Sequence, residues 1–278
     1  MQPRTDVAGN KELHELSYGL ASDPLAQWSL SLSALVHDVE HQGISNEQLM
    51  KERPLLAKEY NYSSVAEKVS FDLAWSLLME ERFSSLRKAI YCNESEYRRF
   101  RQLMVNAVLA TDVIDPKLKE LRDVRWENAF NDNNAADSNN SNRKATVVLQ
   151  HLMEASDVAH CMQHWHVYRK VRRRCLCVFS VSHSLFFLLS QWNTHLFREI
   201  SKAYRDGRCG TDPATFWYEG ELAFFDKWVI PLAKKLQQCK AFGVSSDEYL
   251  DYALQNRTEW ERRGKVEVQR MAERYKDA

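Results

Sequence analysis

The chain has 278 residues, enough for one large domain or two small ones. Its 38 basic and 38 acidic residues cancel, which argues against a nucleic-acid or membrane partner held by bulk charge. Gly and Pro are sparse, at 8 and 6, the six Cys show no paired or zinc-type spacing, and the opening MQPRTDVAGNKELHE is polar, so an intracellular helical protein without a signal peptide is expected.

Asp23-Pro24 reads as a helix start, with Pro at the first helical position. The apolar run Trp28 to Val36 follows and ends in His37-Asp38-Val39-Glu40-His41. A helix through this stretch sets His37 and His41 four residues apart on one face, with Asp38 beside His37. Buried polar groups need partners, and neutral imidazole with carboxylate is a set that zinc accepts. The plainer alternative is a pair of surface imidazoles. Gly43 lets the backbone turn, and Asn46 is placed to cap a helix from Glu47.

Pro54 opens a short helix through Glu59. Ser63-Ser64 caps a run from Val65 to Met79, whose apolar Val65, Val69, Leu73 and Leu77 recur at every fourth position. Glu94 to Ala110 is a helix ended by Thr111-Asp112, and Asp115-Pro116 starts another. The polar tract Asn131 to Asn142 cannot bury a face and reads as a loop. Lys144 to Val158 is helical, with Ala155-Ser156-Asp157 in its last turn.

His164 and His166, two apart, are expected to point to different sides of a helix. Asp157, His160 and His164, at i, i+3 and i+7, make a rival metal face. Val171 to Gln191 carries three consecutive Arg, no acid and a run of Phe and Leu. Its apolar part, Leu176 to Leu189, is too short and too interrupted by Ser and His for the roughly 20 apolar residues of a spanning helix. Thr194 to Tyr204 is helical and ends at Arg205-Asp206-Gly207. Gly220 to Gln238 is a long helix interrupted by Pro231, and Ser246 caps a last helix to about Ala272. No two-residue alternation is sustained and no internal repeat is present. The expected fold is all-α, one domain over 23–272 after a linker over 1–22.

Four stretches together resemble the catalytic domain of class I 3′,5′-cyclic nucleotide phosphodiesterases. They are His37-Asp38-x-x-His41-x-Gly43-x-x-Asn46, Leu109-Ala110-Thr111-Asp112, Ala155-Ser156-Asp157, and Gly220-Glu221-Leu222-Ala223-Phe224-Phe225-Asp226 with Ile230-Pro231-Leu232. The resemblance covers about Asp23 to Arg270, minus Val171 to Gln191. It implies an all-α domain of the His-Asp metal-dependent hydrolase kind with two divalent ions, zinc and magnesium or manganese. By the same resemblance His37, Asp38 and Asp157 are metal ligands, with Asp38 bridging. Two such ions roughly 3.5–4 Å apart deprotonate a bridging water for in-line attack on the cyclic ester. His41, Glu67 and Thr111 match positions that hydrogen-bond the site or its metal waters.

Phe224 matches a residue that stacks on the purine. Glu221 stands where the family has a purine-gripping Gln; a carboxylate only accepts hydrogen bonds, which leaves cyclic AMP and cyclic GMP both open. The implied function is metal-dependent hydrolysis of cyclic AMP or cyclic GMP to the 5′-monophosphate in signal transduction. The alternative is a catalytically impaired relative acting as a binding or interaction module. A metal hydrolase of another class fits the purine segment poorly. The implied partner is the cyclic nucleotide, without nucleic acid or a transmembrane segment, in the cytoplasm or at its membrane face within a longer signalling chain.

Two further departures matter. The family's His-Asn-x-x-His motif, which carries the general acid and the fourth zinc ligand, is absent; His14 is followed by Glu15 and has Tyr18 four residues on. The chain therefore reads as lacking the segment that bears it. Removing Val171 to Gln191 joins Lys170 to Trp192 and restores an uninterrupted helix, so that stretch reads as translated intron, with a lipid-touching hairpin as the rival account.

Overall fold

Asp23 shows how the helices begin. Its Oδ1 accepts from Ala26 N at 3.1 Å, and Pro24 holds the first helical position, which has no need of an N–H. Asn93 does the same for a later helix: its Oδ1 accepts from Glu96 N, while the Glu96 carboxylate accepts from Cys92 N. In the computed structural model the described residues are 14–130, 138–168, 192–240 and 245–275. The expectations for Val171 to Gln191, and for 131–137 of the polar tract, lie outside them.

Among the described residues every regular element is helical. We number the α-helices α1 (Pro24–Val36), α2 (Asn46–Glu52), α3 (Pro54–Glu59), α4 (Val65–Met79), α5 (Ser84–Ile90), α6 (Glu94–Ala110), α7 (Pro116–Phe130), α8 (Ser138–Asp157), α9 (Trp165–Tyr168), α10 (Trp192–Arg205), α11 (Pro213–Phe224), α12 (Ile230–Cys239) and α13 (Ser245–Arg274). The chain divides into two compact units. No helix among the described residues is long and apolar enough to cross a membrane.

The first unit holds α1 and α3 to α8. Ala26, Ala107 and Ala110 are buried with Leu149 and Met153, so small side chains let α1, α6 and α8 approach closely. Phe71, Leu78, Phe100, Met104 and Val108 form a second cluster, and Trp126, Ala129, Val147, Val148 and Cys239 a third. Residues ahead of α1 join this core: Tyr18 packs edge-on against Phe130 and donates its hydroxyl to Cys239 O. The buried Arg122 guanidinium donates to the carbonyls of Ala110 and Asp112, which closes the end of α6, and pairs with Glu154 at 3.3 Å.

The second unit holds α2, a 3-10 turn at Ala159–Met162, α9 to α11, most of α12, and α13. Asn256 of α13 is fully buried and donates to Cys161 O and Gln163 O, which ties the 3-10 turn to that helix. Arg208 grips the Glu52 carboxylate bidentately and Gln42 Oε1 as well.

Several local expectations are corrected. In α4 the fourth-position stripe starts on the buried face at Val65 and then leaves it: Leu73 and Leu77 are exposed, whereas Ser70, Phe71 and Leu78 are buried. Steps of four overrun the 3.6-residue turn, so such a stripe winds off the packed face. Ser64 precedes α4 without capping it; its Oγ donates to Asp112 Oδ2 at 2.7 Å. α2 begins at Asn46 itself, and Ser45 Oγ accepts from Gln48 N. The polar tract is helical from Ser138 onward. The helix expected from Gly220 begins at Pro213, and a π-turn at Phe225–Val229 separates α11 from α12. Pro231 has no N–H to continue the ladder, which the wider turn accommodates.

Candidate metal centre

α1 stops at Val36, and His37 is its C-terminal cap. Ser70 Oγ donates to Val39 O at 2.7 Å, and Glu40 adopts a positive φ of 63°, so residues 37–40 form a turn. The helical i, i+4 relation expected for His37 and His41 therefore does not exist. His41 is exposed beyond the turn, with its N–H on Asp38 O. α8 stops at Asp157, which places a second helix C-terminus in this unit.

His37, Asp38 and Asp157 come together there, with ligand atoms all within 4.8 Å of one another. His37 Nδ1 lies 3.0 Å from Ala34 O, so this nitrogen carries the proton and Nε2 is the one presented. Nε2 is 3.4 Å from Asp38 Oδ2 and 3.4 Å from Asp157 Oδ1. Both separations exceed the roughly 2.7–3.2 Å of a formed N–H···O bond, and Nε2 is buried without a hydrogen-bond partner. Two donors each about 2.0–2.1 Å from one zinc, at the tetrahedral angle, lie roughly 3.3–3.4 Å apart. An imidazole nitrogen and two carboxylates with that spacing fit a divalent cation. The carbonyl ends of two helices add partial negative charge of the same sign.

Electrostatics within the group are strong. Burial lowers the His37 pKa, but the carboxylates of Asp157 and Asp38 outweigh it and push it up to about 10. Partial burial raises the Asp38 carboxyl, yet His37 and the charge of His41 hold it below the usual range. Asp38 is 56% exposed and Asp157 only 16%.

The other sequence candidates stand as follows. Glu67 lies half-buried in the first turn of α4, and Thr111 caps α6 with its hydroxyl on Val108 O. Neither His41 nor Glu67 contributes to the gathered ligand atoms. The rival face of Asp157, His160 and His164 fails as a helix pattern, because α8 ends at Asp157 and a separate 3-10 turn carries His160. His164 and His166 are not on opposite sides: their rings stack at 4.9 Å, since His164 precedes α9 instead of lying within it.

In the second unit Glu221 is 8% exposed, and its Oε2 accepts from Tyr168 OH at 2.7 Å. Tyr168 was not singled out from sequence, because the pair is separated by 53 positions. His160 stacks parallel on the Tyr168 ring, and burial pushes its pKa down to about 4. Phe224 is half-buried at the end of α11, next to the fully buried Phe225.

Residues 11–242 match the family described as 3′5′-cyclic nucleotide phosphodiesterase. The chain is 25% identical over 142 residues to the 3′,5′-cyclic-nucleotide phosphodiesterase regA of Dictyostelium discoideum, covering 50% of this chain and 17% of that protein. It is 37% identical over 87 residues to the probable 3′,5′-cyclic phosphodiesterase pde-6 of Caenorhabditis elegans, covering 30% of this chain and 11% of that one. The matched stretches thus span less than a fifth of these relatives. The crystal structure of the phosphodiesterase domain of Salpingoeca rosetta rhodopsin phosphodiesterase superposes with a TM-score of 0.65 at 20% identity, over 94% of this chain and 75% of that one. At that identity the likeness establishes the fold.

Proposed function

Because the chain belongs to the 3′,5′-cyclic nucleotide phosphodiesterase family, we propose that it binds a purine 3′,5′-cyclic monophosphate and acts on its phosphodiester with divalent ions held by His37, Asp38 and Asp157. The observation that carries this reading is His37 Nε2, buried without a formed hydrogen bond and set 3.4 Å from each of two carboxylates. A nitrogen with carboxylate oxygens suits zinc, and the more exposed Asp38 has oxygen to share with magnesium or manganese. Ions there would supply positive charge against the phosphate oxygens and acidify water. The Ala34 carbonyl fixes the His37 tautomer. Asp157 holds the second carboxylate in place from the end of α8. His41, Glu67 and Thr111 are assigned to the waters around the group.

Glu221 and Phe224 are assigned to the purine. Tyr168 OH donates to Glu221 Oε2 at 2.7 Å, and a carboxylate accepts hydrogen bonds only. Guanine offers two adjacent donors on its pairing edge, N1–H and the N2 amino group. Adenine offers one donor, N6, beside the acceptor N1, which a carboxylate repels. On this assignment cyclic GMP is the proposed preference. We read the chain as the catalytic segment of a longer signalling protein.

The test has two arms. Purified chain loaded with zinc should lose it in His37→Ala and Asp157→Ala while keeping its helical circular dichroism. Unchanged metal content in both variants removes the metal reading. In calorimetry cyclic GMP should bind more tightly than cyclic AMP, and Glu221→Gln should shrink the gap roughly tenfold or more, the worth of one mispaired buried polar group. Equal binding of the two nucleotides defeats the base assignment and leaves the metal arm standing.

A further inference from the structure

α1 has the composition of a core helix, yet one side of it is uncovered. From Pro24 to Val36 it contains no acid and no base. A helix that is apolar all round is ordinarily buried all round. Here Ala26, Ser29 and Ser33 are buried, whereas Trp28 is 43% and Leu35 65% exposed. Ser31 lies exposed between them. The uncovered surface continues onto α4, where Leu73 and Leu77 are 42% and 44% exposed. Leu25, Leu32 and Val36 of α1 pack with the cluster that holds Phe71 and Leu78 of α4, and Ser70 Oγ donates to Val39 O just past α1, so the two helices are neighbours. At about 100° per residue, Trp28 and Leu35 stand roughly 40° and 60° from Leu32, and Leu73 and Leu77 roughly 60° and 20° from Ser70. All four therefore turn toward the crease between the helices and make one apolar face.

Charge and shape decide what such a face fits. Partners of different sequence are commonly matched by opposite charges across the contact, and α1 offers none. An uncharged apolar face is complementary to itself, and homodimer interfaces are the more apolar kind, with charge depleted at their core. The side chains also alternate in size. A two-fold axis between Ser31 and Leu32 sets Trp28 of each copy against Leu35 of the other, and the small Ser31 lets the two backbones approach. The antiparallel helices then place the positive end of each macrodipole beside the negative end of its mate. We propose that the α1–α4 face is a homodimer interface, in which two copies of this chain meet antiparallel along α1 with Trp28 as the anchor. One helix face and its flank lie at the small end of interface sizes, so the dimer is a dissociable one.

The test is sedimentation of the purified full chain across the micromolar range. The parent should pass from monomer to dimer as concentration rises. Trp28→Glu and Leu35→Glu should each weaken the dimer at least tenfold, and because both positions are exposed the variants should keep the parent's helical circular dichroism. Cross-linking then checks the pairing. Under mild oxidation Ser31→Cys should form a disulfide-bridged dimer well above the level given by the parent's own thiols. Gln27→Cys should not, since the same axis holds its two copies roughly 13 Å apart along the helices. A chain that stays monomeric throughout overturns the proposal and leaves the face to a different chain or a further segment. A dimer that survives both Glu variants overturns it too, as does cross-linking by Gln27→Cys but not by Ser31→Cys.

Discussion

His37 sits under two opposed demands. Burial disfavours its charged form, and two carboxylates favour it more strongly, so the ion-free chain holds an imidazolium there up to about pH 10. An unfolded His titrates near 6.5. A pKa raised on folding stabilises the native state fully below the unfolded value, and that stability is lost as pH rises through the folded value. In chelator, urea midpoints should therefore fall steadily from about pH 6.5 to pH 10, and His37→Ala should flatten that slope. A slope identical in the variant removes the assignment. Asp38 works in the other direction: its lowered pKa gives stability above the ordinary carboxylate range that is lost as pH falls.

At the scale of elements, helix bounds written in local chemistry were legible and the others were not. Asp23-Pro24, Pro54, Glu94 and Asp115-Pro116 mark starts with local chemistry, and the structure begins α1, α3, α6 and α7 there. Ends were legible too at Glu59, Met79 and Ala110, whereas the starts at Ser138 and Pro213 and the turn after Val36 were not. The turn after Val36 involves Ser70 Oγ, and Ser64 turns from capping α4 to bonding Asp112. The same limit applies to the site: His37, Asp38 and Asp157 were legible from motifs, whereas the Tyr168 to Glu221 bond was not.

Two substitutions probe such long-range ties. Ser64→Ala removes a buried bond to the Asp112 carboxylate and should lower stability by about 1.5–3 kcal/mol in denaturant titration. A loss below measurement error would mean that another donor replaces it. Gly43 has φ +67°, and an added Cβ would meet Glu199 Cβ at 2.7 Å. Gly43→Ala should cost about 1–3 kcal/mol, and a neutral result would show that the turn can relax.

At the scale of the whole molecule, the proposed hydrolysis needs a proton for the leaving oxygen. None of the nine His is followed by Asn-x-x-His. Two histidines can be weighed as substitutes. His160 is a poor one, since burial holds its pKa at about 4 and it carries no spare proton at neutral pH. His14 is tied through Nδ1 to Ser22 Oγ at 2.8 Å and is exposed. General acid catalysis contributes roughly 10²–10⁴ in rate, so this polypeptide assayed alone should turn over cyclic nucleotides slower by about that factor than a chain carrying the motif. The comparison is between the 278-residue chain and the same chain extended by a segment bearing His-Asn-x-x-His, both with saturating zinc and magnesium. Ordinary turnover by the unextended chain, abolished by Asp38→Ala, would mean that a residue already present supplies the proton. His14→Ala would then be the first variant to assay, because His14 is exposed and His160 is buried in its neutral form.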